Sequence, residues 1–230
     1  MRINAEFEQQ VVVDSERQPW LESPMAGVFR RPLDRVGQEV ARATSIVKYE
    51  PGSHFSPHVH TGGEEFVVLE GVFQDEHGDF PAGSYIRNPP QSRHKPGSDP
   101  GCVIFVKLWQ FDLQDRTHVR TNIERLKPMP AADGVELASL YADEFESVWF
   151  ANLSPGAEWT LDDPGGSEVL ILQGSASEGE QQLVKHGWLR SPVGTNVRLV
   201  AGPEGARLWA KTGHLRYVDA QVDRVLNAQP

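Results

Sequence analysis

The stretch Gly52-Ser-His-Phe-Ser-Pro-His58-Val-His60-Thr-Gly-Gly-Glu64-Glu65-Phe-Val-Val-Leu-Glu-Gly71, completed by His94, decides how the chain is read. Alternate side chains of a β-strand share a face, so His58 and His60 can point into one cavity while Val59 packs on the other side. Thr61-Gly62-Gly63 supplies the freedom for a tight turn, and Glu64 opens a β-branched and apolar run to Leu69 that reads as the next strand. Three imidazoles and one carboxylate can thus be brought together. His58, His60, Glu64 and His94 are the candidate ligands of one divalent metal ion.

Composition bounds what this cluster belongs to. A chain of 230 residues is long enough for two small domains, each with its own core. The formal charge of -10 and the pI near 5.3 oppose binding to nucleic acid or to anionic membranes, so neither is expected as a partner. No apolar run reaches membrane-spanning length, and Met1 to Glu8 lacks the apolar centre of a signal peptide, which predicts a cytoplasmic protein. Cys102 is the single cysteine, so an internal disulfide and a Cys-based zinc site are both excluded.

Short β-type runs punctuated by glycine and proline follow one another from Gly27: Ala43 to Tyr49, Glu65 to Phe73, Gly83 to Arg87 and Cys102 to Phe111. Val11 to Val13 is a further strand candidate, and Trp20 a candidate anchor. A repeat appears at a shift of about one hundred residues. Glu65-Phe-Val-Val-Leu-Glu-Gly71 is matched by Glu168-Val-Leu-Ile-Leu-Gln-Gly174, and Gly101-Cys-Val-Ile-Phe-Val-Lys107 by Gly205-Ala-Arg-Leu-Trp-Ala-Lys211. The expected architecture is therefore all-β, two barrels in tandem over residues 1–125 and 126–230, with Pro128 and Pro130 marking the handover. In the second half Asp162, Asp163 and Pro164 fall where the His-x-His pair would be, Ser167 at Glu64 and Val197 at His94. Only the first barrel is expected to hold a metal.

These residues resemble the cupin family of double-stranded β-helix barrels. Its first motif falls on Gly52, His58, His60, Glu64 and Gly71, its second on Gly83, Pro89 and His94, with Gln91 standing where glycine is usual and Ser98 where asparagine is usual. Within cupins, Gly62 to Asp79, Arg87-Asn-Pro-Pro90 and His94 resemble the C-terminal cupin of ChrR-type anti-sigma factors, which implies zinc on the three histidines and the glutamate. Those proteins grip their sigma factor with a separate N-terminal helical zinc domain. This chain starts almost at the cupin with no cysteine there, so sigma-factor binding is not carried over.

Other candidates carry less. His54, in a turn-rich setting, and His77 read as solvated residues, Glu65 as a carboxylate pointing away from Glu64, and Cys102 as a packed thiol with a raised pKa. Trp149, Trp159, Trp188 and Trp209 fit core packing or a dimer face better than a ligand pocket. Tyr85, Arg87, Lys107 and Gln110 lie on neighbouring strands as candidate substrate-orienting groups. Two functions stay open. One is a zinc-loaded sensory or regulatory module that binds a small molecule. The other is a non-haem dioxygenase using Fe(II), Ni(II) or Mn(II) on a small diketone or hydroxylated aromatic. Unpaired sheet edges make a homodimer the expected assembly.

Overall fold

The computed structural model describes residues 1–228. Two compact units emerge, each an antiparallel β-barrel of the jelly-roll kind, and neither is contiguous in sequence. The first comprises residues 1–5 and 19–125 with the chain from Asp219 onward; the second comprises 6–18 and 126–218.

Both sheets repeat one strand order. In the first unit Val28–Gly37, Ala41–Tyr49, Cys102–Leu108, Glu64–Asp75, Ser84–Asn88 and Val119–Asn122 lie side by side. In the second the matching places are taken by Val135–Ala142, Ser147–Leu153, Val197–Thr212, Ser167–Glu178, Gly187–Ser191 and Val11–Asp14. The last correspondence explains why residues 6–18 belong to the second unit rather than to the first, as a cut at residue 125 would have it. Val11–Asp14 pairs with Gly187–Ser191 through four residues, Val11 opposite Arg190 to Asp14 opposite Gly187, and so occupies the place that Val119–Asn122 fills beside Ser84–Asn88.

The opposite edges carry short strands as well, Arg2–Ile3 against Val28–Gly37 and Met129–Ala132 against Val135–Ala142. Open hydrogen-bonding edges are covered in this way. The chain from Val218 to Asn227 forms an α-helix that the strand-based reading of the sequence did not anticipate. Its Gln221 accepts a hydrogen bond from Arg42 Nε at 2.9 Å and donates to the Gln110 carbonyl at 2.9 Å. Two buried polar groups of the first unit are satisfied by this tail.

The repeat reaches down to backbone constraints. Gly71 and Gly174 have φ of +71° and +73°, and a Cβ on either would sit 2.0 Å and 2.1 Å from the carbonyl oxygens of Gly101 and Gly205. Only glycine fits at the two equivalent crossings.

The central strands are buried on both faces; Ala41–Tyr49 is buried along nearly its whole length. One face of each sheet closes on the barrel interior, which in the first unit contains Phe66, Val68, Phe73 and Ile104 and in the second Leu161, Ile171, Val197 and Leu208. The other face carries a charged layer. Glu65 is directly opposite Lys107 on one side and Arg87 on the other, and Glu168 is likewise opposite Lys211 and Arg190. All six are essentially inaccessible to solvent. Tyr85 donates to Glu65 Oε1 at 2.6 Å, and Trp188 Nε1 donates to Glu168 Oε2 at 3.2 Å. Lys107 Nζ donates to Thr44 Oγ1 at 3.1 Å, Lys211 Nζ to Glu146 Oε1 at 3.0 Å.

Removing one member of a buried charge cluster strands the others. Lys107→Met and Lys211→Met are each expected to destabilise their unit by about 3–5 kcal/mol, read as a lower urea midpoint. Replacing Glu65 by Leu on top of Lys107→Met should recover less than the full loss, because Arg87 then keeps Asp115 but loses the carboxylate across the sheet.

Candidate metal centre

The strands His58–Val59 and Arg93–His94 pair with each other, and the register sets His58 directly opposite His94. Their backbone is fastened by His60 N–H to the Ser92 carbonyl at 2.9 Å and by Gln91 N–H to the His60 carbonyl at 2.9 Å. Gln91 adopts φ +73°, in the left-handed region that favours glycine, which accounts for the glycine usual at this place. Ser98, where asparagine is usual, donates through its hydroxyl to the Val72 carbonyl at 2.6 Å.

The three imidazoles converge. Ring centroids are 4.9 Å apart for His58 and His60, 5.2 Å for His58 and His94, and 4.5 Å for His60 and His94. One ring nitrogen from each lies within 4.8 Å of the others, the one such group of three or more metal-ligating side chains among the described residues. Glu64 completes the set: its Oε2 is 3.5 Å from both His60 Nε2 and His94 Nε2. The three histidines singled out in the sequence form one group, and Glu64 lies beside two of them.

Neighbouring groups decide which nitrogens face inward. His94 Nδ1 is 3.2 Å from Asp75 Oδ2, and His58 Nδ1 is 3.0 Å from the Ser56 carbonyl oxygen. A carboxylate and a carbonyl can only accept, so both Nδ1 atoms carry the proton and both Nε2 atoms present a lone pair. Asn88 donates to Glu64 Oε2 at 3.3 Å and fixes that carboxylate. The Nε2 atoms of His60 and His94 are buried with no hydrogen-bond partner. Two orphaned ring nitrogens beside a carboxylate fit a cation, since burial without a partner is otherwise costly.

Electrostatics separate the two buried rings. Burial disfavours a charged His60 and outweighs the attraction of Glu64, and the neighbouring imidazoles add to it, so its pKa lies below the usual imidazole value. Burial also opposes a charged His94, but there the Asp75 hydrogen bond and the charges of Glu64, Asp75 and Glu76 together prevail and raise its pKa. Desolvation works against an ionised Asp75, yet the hydrogen bonds from His94 and the His77 amide hold its pKa below the usual carboxylate range.

Beside the cluster lies a cavity of about 220 Å³, bordered by His58, His60 and Glu64 and walled by Val47, Phe55, Ile104, Val106, Leu108 and Trp109. Trp109 has φ +61°, a strained conformation for an aromatic residue, and a Cβ on Gly62 would overlap its ring at 2.2 Å. The Gly62-Gly63 turn therefore leaves room for Trp109 as well as bending the chain.

Several sequence readings are corrected or sharpened. Tyr85, Arg87, Lys107 and Gln110 do not line the cavity; the first three belong to the charged layer with Glu65, and Gln110 donates to the Ala43 carbonyl and Thr44 Oγ1. Asp75, Asn88, Arg30, Arg35 and Trp109 were not recognised, although Asp75 lies in the Gln-Asp-Glu-His turn already quoted. His54 is half exposed and 3.2 Å from Asp99, and His77 is exposed. Cys102 is buried, and desolvation pushes its thiol up to about 11. In the second unit Leu161 is paired with Val197 as His58 is with His94, so Leu161 rather than Asp162 takes the place of the first histidine. Trp188 and Trp209 are buried in the sheet, and Trp159 packs on the core.

With this geometry established, the comparisons become informative. The ChrR Cupin-like domain family matches residues 8–112. That match covers a little under half of the chain and includes all four candidate ligands. No curated protein matches the sequence. Among solved structures the chain is similar to a candidate dioxygenase from Nostoc punctiforme, at 16% identity and TM-score 0.73 over 91% of this chain and 84% of that one. It is also similar to protein YlbA from Escherichia coli, at 14% identity and TM-score 0.70 over 90% and 91%. A third is the bacterial pirin YhhW from Escherichia coli in complex with nickel(II), at 13% identity and TM-score 0.65 over 89% and 99%. At such identities the likeness concerns the fold. No helix among the described residues is long and apolar enough to cross a membrane.

The signs of the pKa shifts predict how the metal-free protein responds to pH. A raised His94 pKa contributes stability that is complete below about pH 6.5 and is lost as pH rises through the folded value. A lowered Asp75 pKa contributes stability present above about pH 4 and lost as pH falls through its folded value. His60 opposes the fold as pH drops below about 6.5, because its buried ring must be charged. Asp75→Asn should therefore lower the His94 pKa and cost most stability between about pH 4 and 6.5. NMR titration of His94 and thermal melts across that range, on metal-free protein, check both.

Proposed function

We propose that His58, His60, Glu64 and His94 hold one divalent metal ion and that this centre acts on a small molecule admitted through the adjoining cavity, as a non-haem metal-dependent oxygenase does. The observation that carries the proposal is the cavity of about 220 Å³ against three of the four ligands. A structural zinc site closes every coordination position with protein, whereas a working site keeps one side open. When bound, the metal supplies Lewis-acid or redox chemistry to a molecule lying in that cavity.

The residues of the chain do the rest. Asp75 and the Ser56 carbonyl hold His94 and His58 in the tautomer that can ligate, and Asn88 orients Glu64. The apolar wall from Val47 to Leu108 limits water around the bound molecule and strengthens each polar contact inside. The description of the Nostoc relative as a candidate dioxygenase and the nickel(II) in the pirin complex are in keeping with this reading. A second reading, a zinc-loaded module that senses a small molecule, draws on the ChrR match over residues 8–112. Sigma-factor binding forms no part of either.

Elemental analysis of untagged protein, followed by anaerobic reconstitution with Fe(II), Ni(II) or Mn(II), separates the two. The enzymatic reading expects O2 uptake with a small diketone or hydroxylated aromatic, abolished by His60→Ala. Protein that carries only zinc and stays inert across that panel would overturn it and favour the sensor. Either reading expects about one ion per chain, lost in His58→Ala and His94→Ala, and a fall in melting temperature on chelation. Because His94 Nε2 must lose any proton before it ligates, metal affinity should rise with pH through and above the ordinary imidazole range.

A further inference from the structure

Outside the ligand set, the chemistry in the first unit concentrates at the mouth of its cavity. Arg30 and Arg35 line the cavity beside His58, His60 and Glu64, and they also line an outer vestibule of about 520 Å³ bordered by Leu21, Pro24 and Met25. Arg30 and Arg35, with Glu39 and Ser45, are common to the linings of both spaces. Both arginines project from the strand Val28–Gly37, in which a bulge between Pro32 and Asp34 shifts the register, so that side chains five positions apart reach the same opening.

Neither cation is neutralised by the protein. Arg30 makes no hydrogen bond or ion pair with any described residue, and Arg35 donates only to the Gln38 carbonyl. Glu22 and Glu39 border the vestibule and Glu39 also the cavity, yet neither forms an ion pair with these arginines. The phenol of Tyr49, on the inner wall, is the one group whose charge would favour Arg30. Burial holds both guanidiniums below their usual pKa, and the charge of Arg30 lowers that of Arg35 further. In a chain of formal charge -10, these two cations offset Glu22 and Glu39 at the entrance and give an incoming anion two guanidiniums to meet.

We propose that Arg30 and Arg35 form an anion-selective collar and that the ligand of this site is a small organic monoanion, a carboxylate above all. The proposal rests on the cavity being the working site. A guanidinium presents paired N–H donors that match the two oxygens of a carboxylate, while a neutral ligand leaves those donors unpaired in a partly desolvated place. The inner volume corresponds to roughly seven waters, room for a short aliphatic or single-ring acid and no more. Its hydrocarbon part faces Val47, Ile104, Val106 and Leu108, and its charged end meets the collar.

Pentanoate and its neutral isostere pentanamide test this, by calorimetry or ligand-observed NMR on the full chain. Pentanoate should bind at least tenfold more tightly than pentanamide. Arg30→Gln and Arg35→Gln should each cut that preference to below threefold while leaving pentanamide binding unchanged, and Arg30→Lys should restore part of it. Melting curves and metal content measured on the same samples show whether a variant remains folded and loaded. Equal binding of the two probes, no binding of either, or a preference untouched by both substitutions overturns the proposal. A wild-type chain that prefers pentanoate but holds no metal would instead sink the metal reading and leave the collar standing.

Discussion

Everything at this site follows from the alternation of side chains along a strand that is buried on both faces. Glu64 and Glu65 are neighbours in the chain, yet the pleat sends one to the histidine cluster and the other to a charged layer on the opposite side of the same sheet. Each carboxylate is useful only where it is. Glu64 lies 3.5 Å from two imidazole nitrogens, whereas Glu65 accepts from Tyr85 and is flanked across the sheet by Lys107 and Arg87. A slip of one residue would exchange them, burying a carboxylate in the wrong environment on each face. The charged layer thus locks the register on which the ligand geometry depends.

The same constraint explains what could be read from the sequence. The spacing of His58, His60 and Glu64 is a local pattern, to which the pairing of His58–Val59 with Arg93–His94 adds His94, and local patterns survive in sequence. The repeat was legible too, because Gly71 and Gly174 answer one steric demand twice. Inward and outward residues could not be told apart on strands with no solvent-facing side, since the alternation of apolar and polar residues vanishes there. Tyr85, Arg87, Lys107 and Gln110 were for that reason offered to the wrong face. Arg30 and Arg35 escaped notice because a bulge sets their direction, and the exchanged end segments because pairings such as Val11 with Arg190 span nearly the whole chain.

The two units show which part of an ancestral barrel is frame and which is chemistry. Glutamate, lysine and arginine persist at matching places of both charged layers, with tryptophan replacing tyrosine as the donor to the carboxylate. The pair His58 and His94 has become Leu161 and Val197, both buried within a continuous apolar cluster. Filling that space with hydrocarbon removes the need to desolvate imidazoles, and each such side chain contributes about 1.5–3 kcal/mol by burial. The second unit has exchanged a site for a core.

The interleaving of the chain ends bears on how the molecule is made. Arg42 and the Gln110 carbonyl are buried early in the sequence but find their partner in Gln221. During synthesis the first barrel therefore emerges before Gln221 can reach Arg42, which by then has Asp34, or the Gln110 carbonyl, while Val11–Asp14 waits for Gly187–Ser191 before it has a strand to join. Neither unit reaches its final hydrogen bonding until most of the other has been translated. Two barrels of one strand order are in this way tied into a single event in biosynthesis, and a nascent chain halted between them would hold exposed edges that invite chaperones.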